Sequence, residues 1–480
     1  MSAVRRSALA LLCAVAAVSA ATVPARSGPK AVTAPGTADA RLAGATRSER
    51  NGWIAVVLQG PPAQLGYQHG RLLAPEIADA LAVAKLSATH DGKRDWAFFR
   101  KTAETVFWPR AGAEYQEEMR GIAEGAAAAG TAIDLWDVVA LNASIEVGYY
   151  TAVLDAAAAT GAAGKSNAPD KCSAFVATGR YTRDGRVVIA HNNWSGYLDG
   201  SRWNVIFEIR PAAGQRILMD GYPGLIHSGD DFGINSAGIA ITETTITGFK
   251  GFDPAAVPEF VRARKALQYA SSIDDFDRIM RDGNNGGYAN AWLVADANTG
   301  EVARLELGLK NVTLERTKDG YFAGANFPVS PKLALEETSF KLDDPSLSPN
   351  ARRARWDELM AANAGKIDLV LAKSFMADHY DAFEKKPDAP SERTLCGHVD
   401  LSPRGMGDWT GPFGPNGAVQ SKAADATMIR RMALEAAMGH ACGISFRAAS
   451  HLAQHPEFAW QKPLLRDLVA FPWTPFAAAR

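Results

Sequence analysis

At Cys172 the chain changes character. Residues 156–168 read AAAATGAAGKSNA, with no hydrophobic period, and from Cys172 the pattern changes to that of strands. Before that point the patterns are helical after one short strand, WIAVVLQG, residues 53–60: GPPAQLGYQHGRLLAPEIADALAVAKL, EYQEEMRGIAEGAAAAG and IDLWDVVALNASIEV. After it come strand patterns. CSAFVATGRY and RVVIAHNNW flank Thr182-Arg183-Asp184-Gly185, a hairpin turn with an Asp-Gly pair. NVIFEIRP, RILMDGY and GIAITETT continue the strand series, helices return at 258–282, and AWLVADANTGEVARLELGL and NVTLERTKDGYFAGAN predict two more hairpins. The last third predicts helices at 351–363, 366–380 and 424–439. Helices, strands, helices and strands in that order constrain the chain to a layered α+β fold.

The N-terminus sets the compartment. Residues 1–20, MSAVRRSALALLCAVAAVSA, have Arg5 and Arg6, a short apolar run and a small-residue end at Val18-Ser19-Ala20. That is the pattern of a cleavable signal peptide, and the run is too short to span a bilayer. We expect a secreted or periplasmic protein with no transmembrane segment. Residues 21–48, rich in Ala, Thr, Pro and Gly, predict a disordered lead-in. Residues 49–171 then form a mostly helical chain ending in an exposed loop, and residues 172–480 form the second part. Across 480 residues the net charge is −1, with no basic block to suggest a nucleic-acid partner. Removing the signal removes Cys13 and leaves Cys172, Cys396 and Cys442. In an oxidising compartment two can pair. The expected pair is Cys396 with Cys442, leaving Cys172 free.

A free cysteine opening a strand after an exposed loop has a chemical use. If the chain is cut between Lys171 and Cys172, Cys172 carries both a thiol and an α-amine. The thiol has a pKa of about 8.5 and the amine about 7.7–8.0, so the amine can serve as base for its own side chain. The same thiol can make the cut through a thioester. A buried small residue or a disulfide partner is the bland alternative.

The flanking motifs bear on that choice. CSAFVATGRYTRDGRVVIAHNNWSGY resembles the start of the mature chain in phospholipase B-like proteins, and YPGLIHSGDDFGINSAGIAITETT and AGANFPVSP are similar to two further motifs of that family. LGYQHGRLLAPEI, EEMRGIAEGA, VVALNASIE, SPNARRARW and LCGHVD resemble the related acyl-coenzyme A:6-aminopenicillanic acid acyltransferase-like family. Both families are N-terminal nucleophile (Ntn) hydrolases. The resemblance implies a four-layer αββα sandwich of antiparallel sheets and self-cleavage between Lys171 and Cys172. It further implies that the two chains stay associated and that no cofactor or metal is required. It makes Cys172 the nucleophile and Asn326 the oxyanion donor. His191 would orient the thiol or amine, and Trp194 and Asn193 would line the substrate. Thr244, or its neighbour Thr245, would sit beside the nucleophile. Arg352 would lie near it, with the register open to Arg353. More distant relatives carry an aspartate where Asn193 falls, and an amide there supplies no charge to the amine.

Other chemistries lack their motifs. There is no G-x-S-x-G elbow, no H-E-x-x-H, no phosphate-binding glycine loop and no cysteine pair at zinc spacing. His227-Ser228-Gly229-Asp230-Asp231 reads as a polar loop or as metal ligands. The expected activity is removal of acyl groups from phospholipid esters or N-acyl amides, so the expected partner is a lipid or N-acyl small molecule. Three alternatives stay open: an acyltransferase or amidase on N-acylated small molecules, a non-catalytic lipid-binding protein, and a cysteine protease using His191 or His398 as base.

Overall fold

The computed structural model describes residues 39–90, 94–158, 172–407 and 409–479. The expected signal peptide, most of the lead-in, and the segment through Lys171 lie outside the described residues. The strands are β1 (Thr46–Arg50), β2 (Trp53–Gly60), β3 (Cys172–Gly179), β4 (Gly185–Gly196), β5 (Val205–Pro211), β6 (Ile217–Gly221), β7 (Gly233–Asn235) and β8 (Ile239–Thr245). They continue as β9 (Asn290–Asp296), β10 (Glu301–Leu307), β11 (Val312–Thr317), β12 (Tyr321–Gly324), β13 (Asn416–Asp425), β14 (Ala433–Met438) and β15 (Thr474–Ala477).

Two sheets result. One has nine strands in the order β1-β2-β5-β6-β7-β8-β9-β10-β11, and the other six in the order β12-β3-β4-β13-β14-β15. Pairing is antiparallel except for β2 with β5, which run parallel and so depart from the expected all-antiparallel sheets. The strand period of two sorts the core into layers. Ala174 and Val176 of β3 face inward with Ile189 of β4, against Leu218, Ala240, Leu293 and Ala295 of the nine-stranded sheet. Phe175, Ala177, Val188 and Ala190 face outward, onto Trp356, Leu359, Phe375 and Met376 from the helices Ser348–Ala362 and Leu369–Met376. On the far side, Val56, Phe207, Ile241 and Val294 pack under helical Leu65, Ile77, Ile122, Val138 and Phe260. Helix, sheet, sheet and helix are the four αββα layers.

The two glycine motifs of the first half have a packing cause. In helix Pro62–Leu72 a Cβ on Gly66 would lie 1.8 Å from the Glu118 carbonyl oxygen, and one on Gly70 2.0 Å from that of Ile122. In helix Ala113–Ala128, Gly121 and Gly125 meet the Ala63 and Tyr67 carbonyls at 2.4 and 2.1 Å in the same sense. The two backbones touch, and only glycine permits it.

Four expectations need correction. Residues 424–439 are not a helix. They hold the end of β13, a short helix Ala426–Arg430, and β14. β11 and β12 do not form a hairpin, because they join different sheets. The expected loop after 155 begins later, since helix Ser144–Ala158 runs into it. Residues 39–48 of the expected disordered lead-in instead form a helical turn, Ala40–Leu42, and the start of edge strand β1.

Candidate functional site

Cys172 is the first residue of β3 and is 2% exposed. It shares the inward face of its strand with Ala174 and Val176, so the thiol enters the space between the sheets. Its backbone N–H donates to Asn326 Oδ1 at 2.9 Å. Asn326 follows β12, the neighbour of β3, and adopts φ 69°. A left-handed backbone at a non-glycine residue is a local cost that asparagine tolerates better than most residues. Asn326 Nδ2 donates to the Thr245 carbonyl at 3.0 Å, which ties the loop to β8 of the opposite sheet.

Arg352 comes from the outer helical layer. Nη1 donates to the Cys172 carbonyl at 2.6 Å and to Ser173 Oγ at 3.2 Å, Nη2 to Asn326 Oδ1 at 3.0 Å, and Nε to Ser348 Oγ at 3.1 Å. Its guanidinium also lies 4.3 Å from the Trp194 ring centroid. Arg352 is fully buried beside Cys172, whereas Arg353 is exposed beside Phe327. Burial pulls Arg352 below the usual guanidinium range, opposed by Cys172 and Glu392. A planar fork serving four acceptors is the geometry arginine supplies and lysine does not.

On β4, His191 and Asn193 share the inward face, and Asn193 pairs directly with Cys172. One ring nitrogen of His191, Cys172 Sγ and a Glu243 oxygen lie within 4.8 Å of one another. Burial, reinforced by Lys422 and opposed by Asp230, holds the imidazole well below its ordinary pKa, so it is neutral. Neither ring nitrogen has a hydrogen-bond partner. Thr244 is buried against Gly324 with its hydroxyl unpartnered, and the Asn193 amide nitrogen is likewise unpartnered.

Glu243 and Tyr288 are additions that sequence reasoning missed. Cys172 Sγ lies 4.0 Å from Glu243 Oε1, and the Tyr288 hydroxyl donates to the same oxygen at 3.0 Å. The signal was present in ITETT, where Glu243 adjoins Thr244. Burial first, and Glu243 second, push the Cys172 thiol well above its ordinary pKa, while the Trp194 backbone N–H works the other way. In this state the sulfur is held as a thiol rather than a thiolate.

Behind His191 lies a closed charge cluster. The Lys422 ammonium contacts Asp220 at 3.0 Å and also Asp230, whose Oδ2 lies 3.9 Å from His191 Nδ1. Burial and then Asp230 push Asp220 well up, opposed by Lys422. Asp230 is held low despite burial by Lys422. Asp230 is therefore committed to Lys422, and among the described residues His227 groups instead with Asp231 and Glu259. His398, the second candidate base, sits in a separate cluster with His379, Cys396 and Cys442. Cys396 and Cys442 are free thiols here, contrary to the expected disulfide.

The family profile described as Phospholipase B matches residues 92–306. That span contains Cys172, His191, Asn193, Trp194 and Thr244 and stops short of Asn326 and Arg352. A Caenorhabditis elegans protein provisionally named phospholipase B-like 1 is 25% identical over 336 residues, covering 63% of this chain and 57% of that one. The acyl-coenzyme A:6-aminopenicillanic-acid-acyltransferase 40 kDa form of Emericella nidulans is 26% identical over 260 residues, covering 53% and 63%. The chain thus spans little more than half the length of these two curated relatives. A variant of conjugated bile acid hydrolase from Clostridium perfringens overlays with a TM-score of 0.34 at 12% identity, covering 56% of this chain and 89% of that one. The αββα assignment rests on the layers described above and not on that overlay. By sequence, this chain is similar to the phospholipase B-like proteins and to the acyl-coenzyme A:6-aminopenicillanic acid acyltransferase.

Proposed function

We infer that this chain is an exported, self-cleaving acyl hydrolase whose nucleophile is Cys172, acting on fatty-acyl esters of phospholipids or on N-acyl amides. The observation that carries the reading is the placement of the Cys172 nitrogen. It is fixed on Asn326 Oδ1 beside its own buried thiol, with Arg352 holding the carbonyl of the same residue. Cleavage after Lys171 turns that nitrogen into an α-amine without moving it. The amine then takes the thiol proton as Sγ attacks the acyl carbonyl carbon. The second N–H of Asn326 Nδ2 is available to the oxyanion. Collapse expels the alcohol or amine, which takes the proton from the α-ammonium. Water, deprotonated by the same amine, then hydrolyses the thioester and restores the thiol. The first turnover is intramolecular: Sγ attacks the Lys171 carbonyl carbon, the Lys171–Cys172 C–N bond breaks as the thiol proton passes to the departing nitrogen, and water hydrolyses the resulting thioester to free the Lys171 carboxylate and the thiol.

Likeness to an acyltransferase supports a second outcome, in which an added amine competes with water for the thioester. The test is the mass and N-terminal sequence of every chain in the purified protein, alongside Cys172→Ala. The expected result is a fragment beginning at Cys172 in the wild type and one uncut, inactive chain in the variant. An active Cys172→Ala protein overturns the reading.

A further inference from the structure

Three segments far apart in sequence bring four metal-binding side chains to one point. His379 follows helix Leu369–Met376, Cys396 and His398 precede the turn Val399–Leu401, and Cys442 follows β14. One donor atom from each lies within 4.8 Å of all the others. His379 Nε2 is 3.2 Å from His398 Nε2, and Cys442 Sγ is 3.5 Å from the same nitrogen. A tetrahedral zinc ion with bonds of about 2.05 Å to nitrogen and about 2.3 Å to sulfur has donor edges of about 3.3 Å for N···N and about 3.6 Å for S···N. The two separations match those edges.

The surroundings favour coordination over an ordinary hydrogen-bonded cluster. His379 Nδ1 faces Asp388 Oδ1 at 3.3 Å, an acceptor that favours the ring proton on Nδ1, and Nε2 faces His398. A carboxylate on the outer nitrogen of a ligating histidine is the arrangement that fixes its tautomer in zinc sites. His398 is fully buried, and its Nδ1 has no hydrogen-bond partner. It lies 4.0 Å from Asp400 Oδ1, which the Tyr197 hydroxyl orients at 2.7 Å. The Ile444 backbone N–H points at Cys442 Sγ at 3.5 Å, a contact that favours a thiolate.

We propose that His379, Cys396, His398 and Cys442 form a structural zinc site that clips the 379 and 396–398 loops to the end of β14. Two thiolates and two imidazoles select zinc among the common divalent cations, and four protein ligands leave no open position for catalysis. The clip also supports the candidate active site. Gly397, between two of the ligands, is pressed so closely against the Trp194 ring that a Cβ there would lie 2.2 Å from it. Trp194 in turn carries Arg352.

The rival state is a Cys396–Cys442 disulfide, and the two are mutually exclusive. The test uses the full chain, expressed with export and purified without added thiol or chelator. Metal content is measured by elemental mass spectrometry, and reactive thiols are counted before and after chelation. Cobalt(II) is then exchanged into the protein. The expected result is one zinc per chain, two thiols that become reactive only on chelation, and a thiolate-to-cobalt charge-transfer band with tetrahedral ligand-field bands. Cys442→Ser and His379→Ala should each abolish stoichiometric binding, and Asp388→Asn should weaken it roughly 10-fold or more. If either ligand variant fails to fold, the wild-type cobalt spectrum and chelation-linked thiol exposure still decide. A peptide pair joined through Cys396 and Cys442 overturns the proposal. So do free thiols with no cobalt spectrum at excess metal, or metal binding that survives Cys442→Ser unchanged.

Discussion

The sharpest test of the site is Asn326→Asp, because it changes the two atoms of one amide differently. Oδ1 is the acceptor for the Cys172 nitrogen and for Arg352, and aspartate keeps an oxygen there. Nδ2 donates one proton to the Thr245 carbonyl at 3.0 Å and has a second for an oxyanion, and aspartate removes both. Aspartate also accepts the left-handed backbone at φ 69°, where alanine would add a strain of about 1–2 kcal/mol and confuse the result. Losing the oxyanion donor should raise the barrier by about 2.7–4 kcal/mol, or roughly 10²–10³ in kcat. Setting a carboxylate oxygen against the Thr245 carbonyl should destabilise the fold by a further ~1–3 kcal/mol. The new charge lies beside the Arg352 guanidinium, which offsets part of that. The assay is kcat on a chromogenic short-chain acyl ester, normalised to the fraction of chain that begins at Cys172, with a melting curve beside it. Self-cleavage passes through the same kind of oxyanion, so maturation should slow in parallel. An Asn326→Asp protein that matures normally and keeps kcat within about threefold of wild type would refute the donor role, since threefold is well under 1 kcal/mol.

Cys172→Ser should leave mostly uncut chain and low activity, since an alcohol is far less nucleophilic than a thiol near neutral pH; gel analysis over days of incubation reads it, and wild-type maturation contradicts it. Arg352→Lys keeps the charge and loses the fork, so each charge-assisted bond given up should cost about 1.5–3 kcal/mol in stability or activity; an unchanged melting point and kcat would refute it. A cation this close to the nucleophile's backbone disfavours a second positive charge. The acid limb of kcat/KM should therefore fall below the ordinary α-amine value of about 7.7–8.0, and Arg352→Met should move it upward. Acid stability follows from the buried histidines: burial, with help from Arg264, lowers His69 to about 3, and burial also holds His191 and His440 well below 6.5. The unfolded chain binds more protons below about 6.5, so this stability is full above that pH and is lost as pH falls toward the folded values. For His69 the loss at pH ~5 is about 2 kcal/mol. Urea midpoints in the uncut Cys172→Ala chain measure it, and a midpoint that rises on acidification would contradict it.

The β3–β4 hairpin that builds the site was legible because an Asp184-Gly185 turn lies between two runs rich in Val, Ile and Phe. β14 was not legible for a physical reason. ALEAAM is made of strong helix formers, yet Leu434, Ala436 and Met438 all point into the layer between the sheets. Tertiary packing overrides a helix propensity worth only tenths of a kcal/mol per residue. Cys172, Asn326 and Arg352 could be named from motifs, but their triangle could not, because they lie in segments up to 180 residues apart. Glu243 could have been found from its place beside Thr244 in ITETT, whereas Tyr288 was hidden because a tyrosine in a loop carries no pattern. The His379, Cys396, His398 and Cys442 cluster was hidden more completely, since no linear zinc spacing joins positions brought together by three loops.

If Cys172 is the nucleophile proposed here, its placement accounts for how a new N-terminus could be held in this fold. Both backbone ends of Cys172 are held by side chains from outside its strand, the nitrogen by Asn326 and the carbonyl by Arg352. A strand end held only by ladder bonds would fray once the chain before it was cut, because a terminus loses the restraint of its neighbour. Here the restraint does not depend on the preceding residue. The acceptor that fixes an amide N–H also fixes an amine or ammonium, so one asparagine oxygen serves both the uncut and the cut chain. The thiol, by contrast, is raised in pKa by burial and by Glu243, and His191 beside it is uncharged and unanchored. A buried neutral imidazole with no orienting partner is a poor general base, because nothing fixes its tautomer or stabilises its charged form. On the proposed reading, the nitrogen best fixed for taking the thiol proton is that of Cys172 itself, which would become basic once the chain before it is cut.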